Sequence, residues 1–142
     1  MSTVNSVFRS ADRSLVLPDL RIAHWLPRLL LAGVIFHQGI IKFPLAAAAA
    51  EGVGTSFWLY AMAALGQLAA GVALVVGGFS KLPFSDLLTR LGGLTVALVT
   101  FSVLVVVYNV FTLPLEVVWM ANKVHLFLLA AGLYFAARGN AA

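Results

Sequence analysis

His37, Gln38 and Lys42 fall within six residues on one apolar stretch, and Asn122, Lys123 and His125 fall within four on another. Imidazole, amide and ammonium groups are the donors that the two carbonyl oxygens of a quinone headgroup require. His37, Gln38, Lys42, Asn122 and His125 are therefore a candidate quinone site. The two histidines could instead offer facing neutral imidazoles to a haem iron. The plainer reading gives each a hydrogen-bonded structural role. Lys42, Glu116 and Lys123 form a candidate ion-pair group, and the same three charges would serve equally as anchors in the headgroup zone. No hydrolytic triad, phosphate loop or metal-ligand spacing occurs. The chain has no cysteine, which excludes disulfides, thiol redox chemistry and cysteine-held iron–sulfur or zinc centres within it.

Helical phase divides these groups. At about 100° per residue, Arg28, Gln38, Gly39 and Lys42 share one face of their stretch, and His37 points roughly opposite with Gly33. Further on, Glu116 and Lys123 share a face, and Asn122 and His125 share another with Gly132 close in phase. Two polar seams are open to these faces, one pairing Lys42 with Glu116 and the other bringing His37 towards His125, and the sequence does not say which faces meet.

The elements that must carry these residues are membrane helices. Hydrophobic residues make up 62% of the 142-residue chain and charged residues 10%, where a soluble domain has roughly 25% charged. Crossing about 30 Å of hydrocarbon takes roughly 20 mainly apolar residues. Four runs meet that need: Trp25–Phe43, Phe57–Phe79, Leu87–Tyr108 and about Leu113–Ala137. Glu116, Asn122 and Lys123 make the start of the last run poor membrane filling, so a short interfacial helix followed by a span over 124–137 competes with a single long span.

The expected architecture is an all-α, antiparallel, up-down four-helix transmembrane bundle. A basic lead-in over residues 1–24 precedes a membrane domain over 25–137 and a short tail over 138–142. Ala46–Ala50, followed by Glu51 and two glycines, reads as a small outer helix or loop, and Ser85 or Asp86 as a cap. Gly33, Gly39, Gly66 and Gly71 are expected at helix contacts, with Gln67 making an interhelical hydrogen bond. Trp25, Arg28 and Arg90 are expected as interface anchors.

With the N-terminus placed in the cytoplasm, Arg9, Arg13, Arg21, Arg28, Lys81, Arg90 and Arg138 lie inside, and only Lys42 and Lys123 lie outside. That asymmetry predicts both termini inside. The net charge of +4 faces anionic headgroups rather than nucleic acid. The expected partners are the lipid bilayer and other membrane-complex subunits. Proton-coupled transport is disfavoured, because Glu51, Asp86 and Glu116 are all peripheral.

Arg28-x4-Gly33-x2-Phe36-x2-Gly39-x2-Lys42-Phe43 resembles the opening helix of the DoxX/DoxD-like family. Ala64-Leu65-Gly66-Gln67-Leu68-Ala69-Ala70-Gly71, running on to Gly77, resembles that family's second span, and Lys123 with Arg138-Gly139 resembles its ending. The resemblance implies a four-helix bundle in a bacterial inner membrane. It also implies kinship with subunits of thiosulfate:quinone oxidoreductase or with partners of redox-defence proteins. Arg28, Gly39 and Lys42 match the family pattern. Gln67 stands where a glutamate is common, and an amide neither takes up nor releases a proton, so no proton-handling role carries over to it. The resulting expectation is a small subunit of a quinone-linked redox complex, with a non-catalytic accessory subunit as the alternative.

Overall fold

The computed structural model describes residues 25–79 and 82–141. The lead-in over 1–24, with the basic residues counted there, lies outside the described residues, as does Lys81 of the connector. Every regular element among the described residues is helical: α1 (Trp25–Ile40), α2 (Ala47–Gly52), α3 (Phe57–Gly77), α4 (Ser85–Val106) and α5 (Leu115–Arg138). Single 3-10 turns cover Val110–Thr112 and Gly139–Ala141.

Among the described residues, three helices are long and apolar enough to cross a membrane: α3, α4, and α5 together with its terminal turn. The first run falls short. Its helix has 16 residues, about 24 Å at 1.5 Å per residue, against roughly 30 Å of hydrocarbon. Ile41, Lys42 and Phe43 extend it by a tightened turn, with Lys42 N bonded to Gly39 O at 3.2 Å and Phe43 N to Ile40 O at 3.0 Å. Pro44, with no N–H to donate, lies just beyond.

Local chemistry sets the other boundaries. Ser56 caps α3 by accepting from Leu59 N. Neither Ser85 nor Asp86 caps α4; Phe84 holds that position without a side-chain bond, and Asp86 lies in the first turn. The last run is one helix interrupted at Asn122, whose φ of −119° and ψ of 15° are not helical. The break falls where an interfacial segment would meet a steeper span.

The core draws on all four long helices: Leu31, Ala32 and Ile35 of α1, Ala70 and Leu74 of α3, Val96 of α4, and Leu128 and Phe135 of α5. Contacts are tight because glycine replaces side chains where backbones approach. A Cβ on Gly39 would stand 3.0 Å from Ala64 O, and one on Gly71 3.1 Å from Ala32 O, so α1 and α3 pack backbone to backbone. The closest approach joins α4 to α5, where a Cβ on Gly93 would meet Ala136 N at 2.5 Å and one on Gly132 would meet Ala97 N at 2.8 Å.

The other two expected packing glycines are less closely held, Gly66 facing Thr95 and Val99 of α4 at ordinary contact distance. Around Gly33 nothing lies within 4 Å of a Cβ, and around Gly66 only ordinary contacts of 3.6 and 3.7 Å arise. Gly33 lies on the outward face of α1, where no helix among the described residues reaches it.

Candidate functional site

Polar residues gather at both ends of the helix cluster. At one end the centre is Arg28, which is 1% exposed. Nη1 donates to Leu74 O at 3.1 Å and to Thr89 Oγ1 at 2.9 Å, and Nη2 donates to Asn140 Oδ1 at 3.0 Å. The guanidinium also lies 5.7 Å from the Trp25 ring centre and 5.2 Å from that of Phe135, within cation–π range. This is not a snorkelling interface anchor. The charge is drawn inward because Leu74 is in the last turn of α3, where carbonyls lack helical partners and the helix dipole is negative.

Arg90 does the same for α5. It donates to Ala137 O at 2.6 Å while pairing with Asp86 at 2.7 Å. Asn140 joins the two arrangements: its side chain donates to Ser85 Oγ at 3.0 Å, and its backbone N–H donates to Asp86 Oδ1 at 2.8 Å. The start of α1, the end of α3, the start of α4 and the C-terminal turn are thus bound into one network. Trp25 lies beside it, 5.4 Å from the Phe79 ring.

At the other end Lys42 Nζ donates to Gln67 Oε1 at 2.7 Å and to Gln38 O at 2.8 Å. Gln67 is 2% exposed and donates in turn to Gln38 Oε1 at 3.4 Å. Gln67 therefore makes its interhelical bond, with the first helix as partner. Two of the three N–H groups of Lys42 are occupied, which leaves one for a ligand. The His125 ring lies 5.1 Å from that of Tyr108. Asn122 is 0% exposed, and neither its Nδ2 nor its Oδ1 has a partner among the described residues.

The structure therefore brings together only part of each expected set. Gln38, Lys42 and Gln67 touch, and His125 lies against Tyr108. His37 is exposed on the opposite side of α1, so it is not turned towards His125, and the facing pair that a haem would need is not formed. Glu116 and Lys123 are exposed, and Lys42 bonds to amides rather than to Glu116. Among the described residues no three His, Cys, Asp or Glu side chains converge as metal ligands. A shallow groove lined by Glu116, Val117, Met120 and Ala121 lies on the exposed start of α5.

Sequence reasoning missed the Asn140, Thr89 and Ser85 network and the Gly93–Gly132 contact. The Gly92-Gly93 pair inside an otherwise bulky helix was the available signal for the latter.

The Lys42–Gln67 bond has a measurable consequence. Replacing Gln67 with Leu leaves a half-buried ammonium with one acceptor fewer, and a hydrogen bond to a charged group contributes about 1.5–3 kcal/mol. Gln67→Leu should therefore lower the thermal unfolding midpoint in detergent, while Gln67→Glu should preserve it. A leucine variant melting with the parent would mean that the bond contributes nothing.

A helical chain with three bilayer-length apolar helices, a polar cluster at each end and outward-facing apolar side chains is a membrane protein. No protein-family model, curated protein or solved structure matches it.

Proposed function

We propose that this protein is a DoxX-like, four-span subunit of a quinone-linked redox complex in a bacterial inner membrane, with both termini cytoplasmic. The observation that carries the reading is the Lys42–Gln67 bond at 2.7 Å, which sets a cation with a spare donor beside amides at one end of an apolar helix pair. A quinone accumulates negative charge on its carbonyl oxygens as it is reduced, and a fixed ammonium and amide N–H favour that charge. Lys42 would donate to one carbonyl. His125 would act near the same headgroup, and the unpartnered amide of Asn122 is a further donor three residues away on the same helix. The chain supplies no cysteine or nucleotide fingerprint, so the electrons come from a partner subunit.

Isolation of the native complex in mild detergent tests this. The expected result is a redox partner, bound quinone, and quinone-dependent turnover that falls at least about tenfold in Lys42→Met, the order of one lost charged hydrogen bond. A complex with neither quinone nor redox partner sinks the proposal and leaves the accessory-subunit reading. That second reading has its own support in α5, the least buried of the three long helices. Its Trp119, Met120 and Phe127 all face outward.

The proposed topology is tested by cysteine labelling, which the cysteine-free chain makes clean. Val53→Cys should react with an impermeant maleimide added outside intact cells, and Phe84→Cys only after permeabilisation. The reverse pattern, or a C-terminal tag exposed outside, would refute it.

A further inference from the structure

We infer that Asn122 is a hinge, about which the segment 110–121 swings between the closed position of this structure and an open one that gives the Asn122 amide its partners. Asn122 interrupts α5 with φ of −119° and ψ of 15°. Its side chain is fully enclosed, and among the described residues neither Nδ2 nor Oδ1 is bonded. A primary amide carries two donors and two lone pairs. Each buried group left without a partner favours a competing conformation by roughly tenfold. Water cannot reach the amide while it is enclosed, so an element around it must move to satisfy it.

Packing decides which side of the break moves. Beyond it α5 is locked. Leu128, Gly132 and Phe135 are buried, Gly132 and Gly93 bring the backbones of α5 and α4 together, and Arg90 holds Ala137 O. Before the break nothing comparable exists. No residue from 110 to 121 is buried, and Phe111, Leu115, Trp119 and Met120 are each at least 63% exposed. Among the described residues the one side-chain hydrogen bond of this segment runs from Thr112 to Asn109 O, at its own base.

That base is a second joint. Asn109 has φ of 44°, a left-handed conformation that asparagine adopts more readily than most side chains. A short helical piece with an irregular residue at each end and little packing between them opens at small cost. The donor role proposed above for Asn122 is then available in the open position alone, since the closed one shuts the amide off. The hinge itself does not rest on the quinone reading; it follows from an enclosed, unbonded amide at a break with one loose side.

Pairs of spin labels on the full-length, otherwise cysteine-free chain in lipid nanodiscs test it. Trp119→Cys before the break and Phe127→Cys after it are each combined with Leu98→Cys on α4, and all three positions are well exposed. Label-to-label distances from the Trp119 pair should fall into two populations, and those from the Phe127 pair into one. Asn122→Leu removes both unpaired groups and supplies a residue that favours the helix. It should reduce the second Trp119 population at least about tenfold and raise the unfolding midpoint. Asn122→Ala, which adds no bulk, should reduce that population in the same direction.

A Trp119 pair as narrowly distributed as the Phe127 pair overturns the inference. So do two Trp119 populations that survive both substitutions unchanged. A native complex without quinone would leave the distances as stated here, so the hinge and the quinone reading fail separately.

Discussion

Arg28→Ala should destabilise the protein by at least about 3 kcal/mol, the largest effect expected of any single side chain. The substitution removes three hydrogen bonds from a fully buried group. It strands Leu74 O at the end of α3 and leaves a void between the Trp25 and Phe135 rings. Arg28→Lys should recover little. An ammonium on a flexible stem cannot reach acceptors on α3, α4 and the C-terminal turn with the spread of a guanidinium. Asn140→Ala should cost less, about 1–2 kcal/mol, since Thr89 and Leu74 O remain to receive Arg28. Because Arg28 and Asn140 share a bond, their combined effect should fall short of the sum. Thermal unfolding in detergent measures all three variants and the double variant. An Arg28→Ala protein that melts with the parent would show that the network contributes no stability.

Gly93→Leu or Gly132→Leu should be nearly as damaging, through sterics alone. Even a methyl group on Gly93 would stand 2.7 Å from Gly132 O and 2.5 Å from Ala136 N. These are backbone atoms, which cannot rotate away as a side chain can. The helices must separate by about an ångström, and overpacking of that kind costs typically 1–3 kcal/mol, with leucine at the upper end or beyond it. Gly66→Ala supplies the control. Its Cβ finds only ordinary contact, and alanine is favoured over glycine within a helix by about 1 kcal/mol, so this variant should match or exceed the parent. Equal behaviour of Gly93→Ala and Gly66→Ala would refute the close α4–α5 approach.

Much of this arrangement is legible along the chain. The apolar runs correspond to α1, α3, α4 and α5, because hydrophobicity summed over some 20 residues is a local quantity. Arg28, Gln38, Gly39 and Lys42 share one face of α1 and His37 lies with Gly33 on the other, as a period of 3.6 residues per turn requires. The irregularity near Asn122 is likewise visible as composition, whereas composition leaves the segment after Pro44 open between a helix and a loop.

Which faces meet was not legible. Arg28 reads as an anchor near the end of an apolar run, yet its partners lie 46, 61 and 112 residues away. Nothing local to Arg28 signals acceptors on three other segments. Lys42 had Glu116 as its obvious opposite charge. Packing of α1 against α3 instead offered Gln67, and the ammonium bonds to that amide.

Residue type and spacing dictate a membrane solvent, the helices, their phases and the absence of thiol chemistry. Only the packed helices decide that Arg28 is a buried cap on α3, that Gly93 and Gly132 let α4 and α5 touch, and that Lys42 bonds to Gln67 rather than to Glu116. Those outcomes depend on backbones distant in sequence coming within a few ångströms, where dipoles, carbonyls and missing side chains outweigh the pairing of formal charges.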